Sequence, residues 1–307
     1  NPTGEAAYDI VYGHSGSTAP ASGIAAFTLV GNDAEYAAFL IEATANGYLD
    51  TGDNCNPGSE NSTTVGFNYP GETFVGYFTG EPHINEPDPN YYGGCDYLLK
   101  FFDTPNNDWA SQIYWNGTTF VISEGYGNHP VVSITYTGAW AFANYYGLRL
   151  PTKDEWLKAA RGVNTWDTAY GPETGYDNPS NRANLRNSGD PFDNYGEYRR
   201  TTPVGFYNGE ENEWGYETID SPSPYGTYDQ TGNVDEWTTT CSSGHSAGSK
   251  FFVKGGNWYN QVYDTALNNS ASVRSYTNYS SGSGFRCVRT IVTSDNQETQ
   301  TNIKTVK

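Results

Sequence analysis

The stretch "YDQTGNVDEW" (Tyr228–Trp237) carries the most chemically suggestive spacing in the chain. It sets two carboxylates, Asp229 and Glu236, around a glycine-bearing turn, with the carbonyls of Gly232 and Val234 between them. Hard cations take oxygen ligands of this mixture, and calcium is the natural occupant. The plainer alternative is that Asp229 closes the turn through its own backbone. The four cysteines are Cys55, Cys95, Cys241 and Cys287, and none forms a CxxC pair. His14, His83, His129 and His245 are scattered without ligand spacing, so a zinc cluster is not expected. No acid/base pair of carboxylates stands out. An even cysteine count in an acidic, Asn/Tyr/Thr-rich chain suggests two disulfides and an oxidising compartment. A Cys55–Cys95 bridge would clamp the long loop region between them.

The elements that position these groups must be built from an unusual composition. Only 36% of the 307 residues are apolar, but 16% are aromatic, 26 of them tyrosines, so large rings can supply a core. Thirty-five glycines and 16 prolines imply long loops and little regular structure. A formal charge of −19 argues against nucleic acid and anionic membranes as partners. No apolar run approaches the roughly 18 residues of a membrane span. A chain that begins at Asn1 and contains no methionine fits a secreted, extracellular or cell-surface protein after signal-peptide removal.

Along the chain, residues 1–26 read as a polar extension containing one alternating segment, "YDIVY". "NDAEYAAFLIEATANG" reads as a helix, with Asn32 and Glu35 as a capping box and Tyr36, Phe39, Leu40 and Ala43 on one face. Residues 48–112 read as an irregular loop insertion. "IYWNGTTFVIS" (Ile113–Ser123) reads as a hairpin turning at Asn116-Gly117. A short strand and a helix from about Thr137 to Tyr146 follow. The next helix is bounded by a Thr152/Glu155 capping box and Gly162. Residues 163–224 are loop-rich, and 291–307 form a polar, Thr-rich extension.

The blocks "HPVVSITYTGAWAFANYYGLRLPTKDEWLKAARG", "YDQTGNVDEW", "VKGGNW" and "GFRCVR" occur in the order found in the formylglycine-generating-enzyme (sulfatase-modifying factor) family, and together they resemble it from about Phe27 to Thr290. The resemblance implies a single α+β domain over 27–290 with low regular secondary structure, a variant of the C-type lectin fold. It implies structural calcium at Asp229, Gly232, Val234 and Glu236. It implies a second calcium site at Asn184 and Leu185, completed by Asp193 and Tyr195. Arg149 and Glu155 would pair to pin a helix start. Arg286 would be a buried structural cation, and Trp156, Trp237 and Trp258 would be core. Cys287 would bridge to Cys241.

Family oxidases use two cysteines after the Gly-Gly pair to hold copper, and soft Cu(I) suits thiolates. The matching positions here are Asn260 and Thr265, so copper and catalysis are not expected. Two non-enzymatic readings remain. One is a self-assembling structural protein, a homopolymer forming a filament, tube or surface layer through its polar extensions. The other is a lectin-like binder of a protein or glycan, using residues 257–283. Either would make contact through Tyr259, Asn260, Tyr263, Asp264, Asn268, Tyr276 and Tyr279.

Overall fold

The computed structural model describes residues 24–45, 49–50, 62–69, 72–79, 98–103, 112–115, 119–171, 181–193, 201–242, 250–265, 267, 272–275 and 280–290. The segment "YDIVY", both terminal extensions beyond these limits, Cys55 and Cys95 lie outside them.

The chain enters on β1 (Ile24–Val30) and turns into α1 (Asp33–Ala45). The start of α1 is set locally. The Asn32 side chain accepts the Glu35 amide at 2.8 Å, and the Glu35 carboxylate accepts the Asn32 amide at 3.3 Å. Two otherwise orphaned donors are thereby satisfied, which defines the helix start without help from the core. Burial pushes the Glu35 carboxyl up to about 7, against the opposing pull of the Asn32 amide.

Residues 48–112 were expected to be irregular, and here the fold differs. They contain β2 (Leu49–Asp50), β3 (Ser62–Tyr69), β4 (Glu72–Thr79) and β5 (Leu98–Asp103), joined in one sheet in that order. β3 and β4 pair antiparallel through eight residues, and β4 and β5 run parallel. "STTVGFNY" and "ETFVGYFT" have the β-branched and aromatic content of strands. The glycine in the middle of each hides that signal from local pattern reading.

The two strands of the expected hairpin pair, β6 (Ile113–Trp115) with β7 (Phe120–Ile122), in the register Trp115↔Phe120; the expected turn at Asn116-Gly117 lies outside the described residues. Helices α2 (Tyr136–Tyr145) and α3 (Lys153–Arg161) follow. The Thr152/Glu155 capping box is complete, and Gly162 caps the other end at φ 64°. Arg149 clamps the same carboxylate bidentately at 2.6 and 2.7 Å. Burial pushes Glu155 up, but Arg149 and the Thr152 amide outweigh it and leave its pKa lowered.

After α3, residues 162–234 contain no helix or strand among the described residues. The rest is β8 (Asp235–Cys241), β9 (Lys250–Lys254), the short α4 (Val262–Thr265), β10 (Ser272–Ser275), β11 (Ser283–Gly284) and β12 (Arg286–Thr290). One mixed sheet has the order β10-β9-β8-β11, with β11 parallel to β8. β12 pairs with β1, so the end of the described chain closes on its beginning.

The main core is aromatic. Tyr36 and Phe39 of α1 meet Phe142 of α2 and, through Tyr36, Phe285 before β12. Trp156 and Trp237 are fully buried, and Trp258 nearly so. Large rings replace the missing aliphatic content, since each buries a large area in defined edge or stacked contacts.

The expected Cys241–Cys287 bridge is not formed: both side chains are thiols. They belong to different pairings. Cys241 ends β8 opposite Phe251 and lies beside Tyr136, whereas Cys287 is opposite Leu29 on β12. Burial, and then the nearby Glu35, push the Cys287 thiol well above its ordinary pKa, as suits an inert core cysteine.

Candidate functional site

Glu236 leads into β8 from the "YDQTGNVDEW" turn and is completely buried. Arg286, also buried, donates to it through Nε and, at 2.5 Å, through Nη2. Trp156 donates its indole N–H to the same carboxylate at 2.6 Å. Arg286 Nη2 also donates to the Tyr228 carbonyl at 3.0 Å. A buried carboxylate is tolerable only when so paired. Arg286 is therefore the structural cation expected, held by a carboxylate and a carbonyl together.

Asp229 sits at φ 59°, and its carboxylate accepts the Gly205 amide at 2.6 Å. Burial pushes this carboxyl up to about 6, the Gly205 amide and Arg286 pull it back, and Glu236 adds to the rise. Next in the turn, Asn233 stands at φ 61° and is locked on every side. Its Oδ1 accepts from Asn184 Nδ2 and the Thr202 amide, and its Nδ2 donates to the Thr202 carbonyl. Its backbone N–H donates to the Asn184 carbonyl at 2.8 Å. Asn233 was not singled out from sequence. An Asn directly after a turn glycine, tolerant of positive φ, is the signal that marks it.

This geometry divides the expected calcium ligands. Asp229 and the carbonyls of Gly232 and Val234 are oxygen donors of the kind a hard cation takes, and one Asp229 oxygen already accepts the Gly205 amide. Glu236 does not fit as an open donor, because Arg286 and Trp156 hold it. No group of three or more His, Cys, Asp or Glu among the described residues could hold a metal, so such a site rests on carbonyls. In the second expected set, the Asn184 carbonyl accepts from Asn233, and the Leu185 carbonyl accepts the Ser188 amide. Asp193 accepts the Gly189 amide. Tyr195 lies outside the described residues.

The loop after the Gly-Gly pair is built as a turn. The Asn260 side chain accepts the Asn257 amide at 2.8 Å, and its own amide donates to the Asn257 carbonyl. Thr265 is buried, and its hydroxyl donates to the Val262 carbonyl at 2.8 Å. A side chain at Gly256 (φ 71°) would collide with Thr265, so the methyl of Thr265 fills the space beside that glycine. An amide and a hydroxyl, both hydrogen-bonded internally, do not fit Cu(I). Among the expected contact residues, Tyr259 is 55% exposed and carries Arg186 over its ring, and Asp264 is exposed. Tyr263 lies in α4, while Asn268, Tyr276 and Tyr279 fall outside the described residues.

Below this loop, Lys254 is buried and donates to the Leu267 carbonyl at 3.1 Å. Burial, with Lys153 and Arg161 nearby, lowers it to about 8. Asn257 and Arg274 both donate to Asp235, at 2.9 and 2.6 Å. These contacts fasten the loop to the mixed sheet.

A loop-rich mixed fold, with a glycine-bearing turn sealed by a buried Arg–Glu–Trp cluster and followed by a Gly-Gly loop, defines the class of protein. The chain belongs to the sulfatase-modifying factor enzyme 1-like domain family, whose model matches residues 35–291. It is 35% identical over 140 residues to a formylglycine-generating enzyme of Mycobacterium tuberculosis, covering 43% of this chain and 41% of that one. It is 31% identical over 171 residues to an inactive C-alpha-formylglycine-generating enzyme 2 of Mus musculus, covering 52% of this chain and 48% of that one. A 128-residue match at 34% identity covers 41% of this chain and 16% of a serine/threonine-protein kinase pkn1 of Chlamydia pneumoniae. The chain thus spans less than half the length of these curated relatives. Among solved structures, it resembles CarF with a TM-score of 0.41 at 24% identity, over 55% of this chain and 70% of that one. PvdO from Pseudomonas aeruginosa is similar with a TM-score of 0.42 at 17% identity, over 63% and 72%.

These findings correct the expectation of a self-assembling structural protein. The chain belongs to the sulfatase-modifying factor enzyme 1-like family and is similar to formylglycine-generating enzymes, and none of the relatives named above is a filament or surface-layer subunit. The extensions on which that expectation leaned lie mostly outside the described residues.

Proposed function

We propose that this chain is a non-catalytic member of its family, which keeps the fold as a binding domain. The observation that carries this reading is Thr265: at a position where the resemblance calls for a copper thiolate, its hydroxyl is buried and bonded to the Val262 carbonyl. Asn260 likewise serves its own turn. The inactive relative, 31% identical, supports the reading without deciding it. The test is a Cu(I) titration of the full chain beside Asn260→Cys/Thr265→Cys. The double variant gains one equivalent of tightly held Cu(I) over the parent. Equal stoichiometry in the two would contradict the assignment of these positions.

The turn at 229–236 holds calcium through Asp229 and the carbonyls of Gly232 and Val234, with Glu236 serving Arg286. On this reading calcium stabilises the folded state by mass action. Chelation lowers the melting temperature of the parent and leaves Asp229→Ala unmoved. A parent melting curve indifferent to chelator would leave this segment a plain turn.

A further inference from the structure

The loop from Tyr207 to Ser221 plays no part in the site above, yet it is tightly built. The Ser221 amide donates to the Tyr207 carbonyl, closing its base at 3.1 Å. Asn212 organises the tip: its Oδ1 accepts the Trp214 and Tyr216 amides, and its Nδ2 donates to the Tyr216 carbonyl at 2.6 Å. The Tyr216 hydroxyl ties the loop to Asn181 and Ser188. On this frame Trp214 rests against Phe192 and Phe206, with centroids 5.0 and 5.8 Å away, and is still 44% exposed. In the same loop Glu210, Glu211, Glu213, Glu217 and Asp220 are all exposed.

No lysine or arginine occurs between Tyr207 and Ser221. Among the described residues these carboxylates form no ion pair, and only Asp220 has a side-chain partner, the Tyr228 hydroxyl at 2.6 Å. Acidic residues alone would make an ordinary solvated face. Here they share an ordered loop with a large aromatic ring that is held by packing against Phe192 and Phe206 and is still 44% exposed. A guanidinium or ammonium can lie over such a ring while neighbouring carboxylates take its N–H groups. The ring and loop are already ordered, so little entropy is lost on contact. A metal ion is the weaker occupant, because these carboxylates do not converge into a group that could hold one.

We propose that Trp214 and the carboxylates beside it form a docking surface for a basic, arginine-bearing segment of a partner protein. The probe is a labelled peptide of alternating arginine and glycine, read by fluorescence anisotropy against the full chain at low and at physiological salt. Trp214→Ala leaves the net charge unchanged, so general attraction to an acidic protein cannot explain its effect. It is expected to weaken binding about tenfold, within the range of a desolvated cation–π contact. Glu211→Gln/Glu213→Gln is expected to weaken binding and flatten its salt dependence. The equal charge change Glu42→Gln/Asp154→Asn, on α1 and α3, leaves it near the parent value. Circular dichroism confirms that each variant is folded. Parent-like binding by Trp214→Ala would overturn the proposal, as would equal loss in the two charge pairs. So would competition by millimolar calcium at constant ionic strength, which would make the loop a cation site.

Discussion

Glu236→Gln is expected to destabilise the protein by about 3–5 kcal/mol, the usual cost of stripping a buried ion pair of one partner. Arg286 would keep its charge at 1% exposure but lose its carboxylate: a single amide oxygen replaces two anionic ones, and the amide NH2 in place of Oε1 would face Nη2 as a second donor. Its Nη1 already has no hydrogen-bond partner among the described residues, so they offer the guanidinium no spare acceptor. Trp156 would keep a hydrogen bond to the amide oxygen, so the loss should come from the guanidinium. The double variant Glu236→Gln/Arg286→Met removes the uncompensated charge and should recover part of the stability. Chemical denaturation of the two variants and the parent decides the matter. A single variant within about 1 kcal/mol of the parent would show that the pair contributes far less than its burial implies.

Gly232→Ala is the second large effect. Gly232 sits at φ 83°, and a Cβ there would run into the Asn184 carbonyl oxygen, within 3.0 Å of its carbon and 2.9 Å of Leu185 Cδ2. The obstacle is backbone that accepts the Asn233 amide, so it cannot swing aside without opening the Asn184–Asn233 lock. A left-handed alanine costs about 1–2 kcal/mol, and overpacking adds about 1–3 kcal/mol. The expected loss is therefore about 2–5 kcal/mol by denaturant melts. By contrast Gly147→Ala, also at positive φ but with open space around its Cβ, should lose only the conformational part. If the two glycines respond alike, packing against Asn184 is not what holds the turn.

What was legible in the sequence follows from the range of each interaction. Both capping boxes, Asn32/Glu35 and Thr152/Glu155, involve partners three residues apart and could be read directly. The Arg149–Glu155 clamp spans six residues and was equally readable. Glu236 and Arg286 are fifty residues apart, and local reading assigned Glu236 to a cation in its own turn while leaving the partner of Arg286 open. The β3–β4 sheet was hidden because Gly66 and Gly76, opposite Val75 and Val65, interrupt both strands. The cysteines were read by parity, which cannot reveal that Cys287 faces a closed core beside α1. The 207–221 loop went unnoticed because its order comes from Asn212, Asn181 and Ser188, none of which has a periodic signature.

The central claim is that the loop after Gly256 has exchanged redox chemistry for structure. Its most direct test is turnover. The full chain is incubated with copper, oxygen and a cysteine-containing peptide, and the peptide is followed by mass spectrometry with an active family member run alongside. The account predicts that the peptide's cysteine stays intact at every copper concentration while the active enzyme converts it to formylglycine. Copper-dependent conversion by this chain would contradict the account outright, because Asn260 and Thr265 offer no thiolate through which it could proceed.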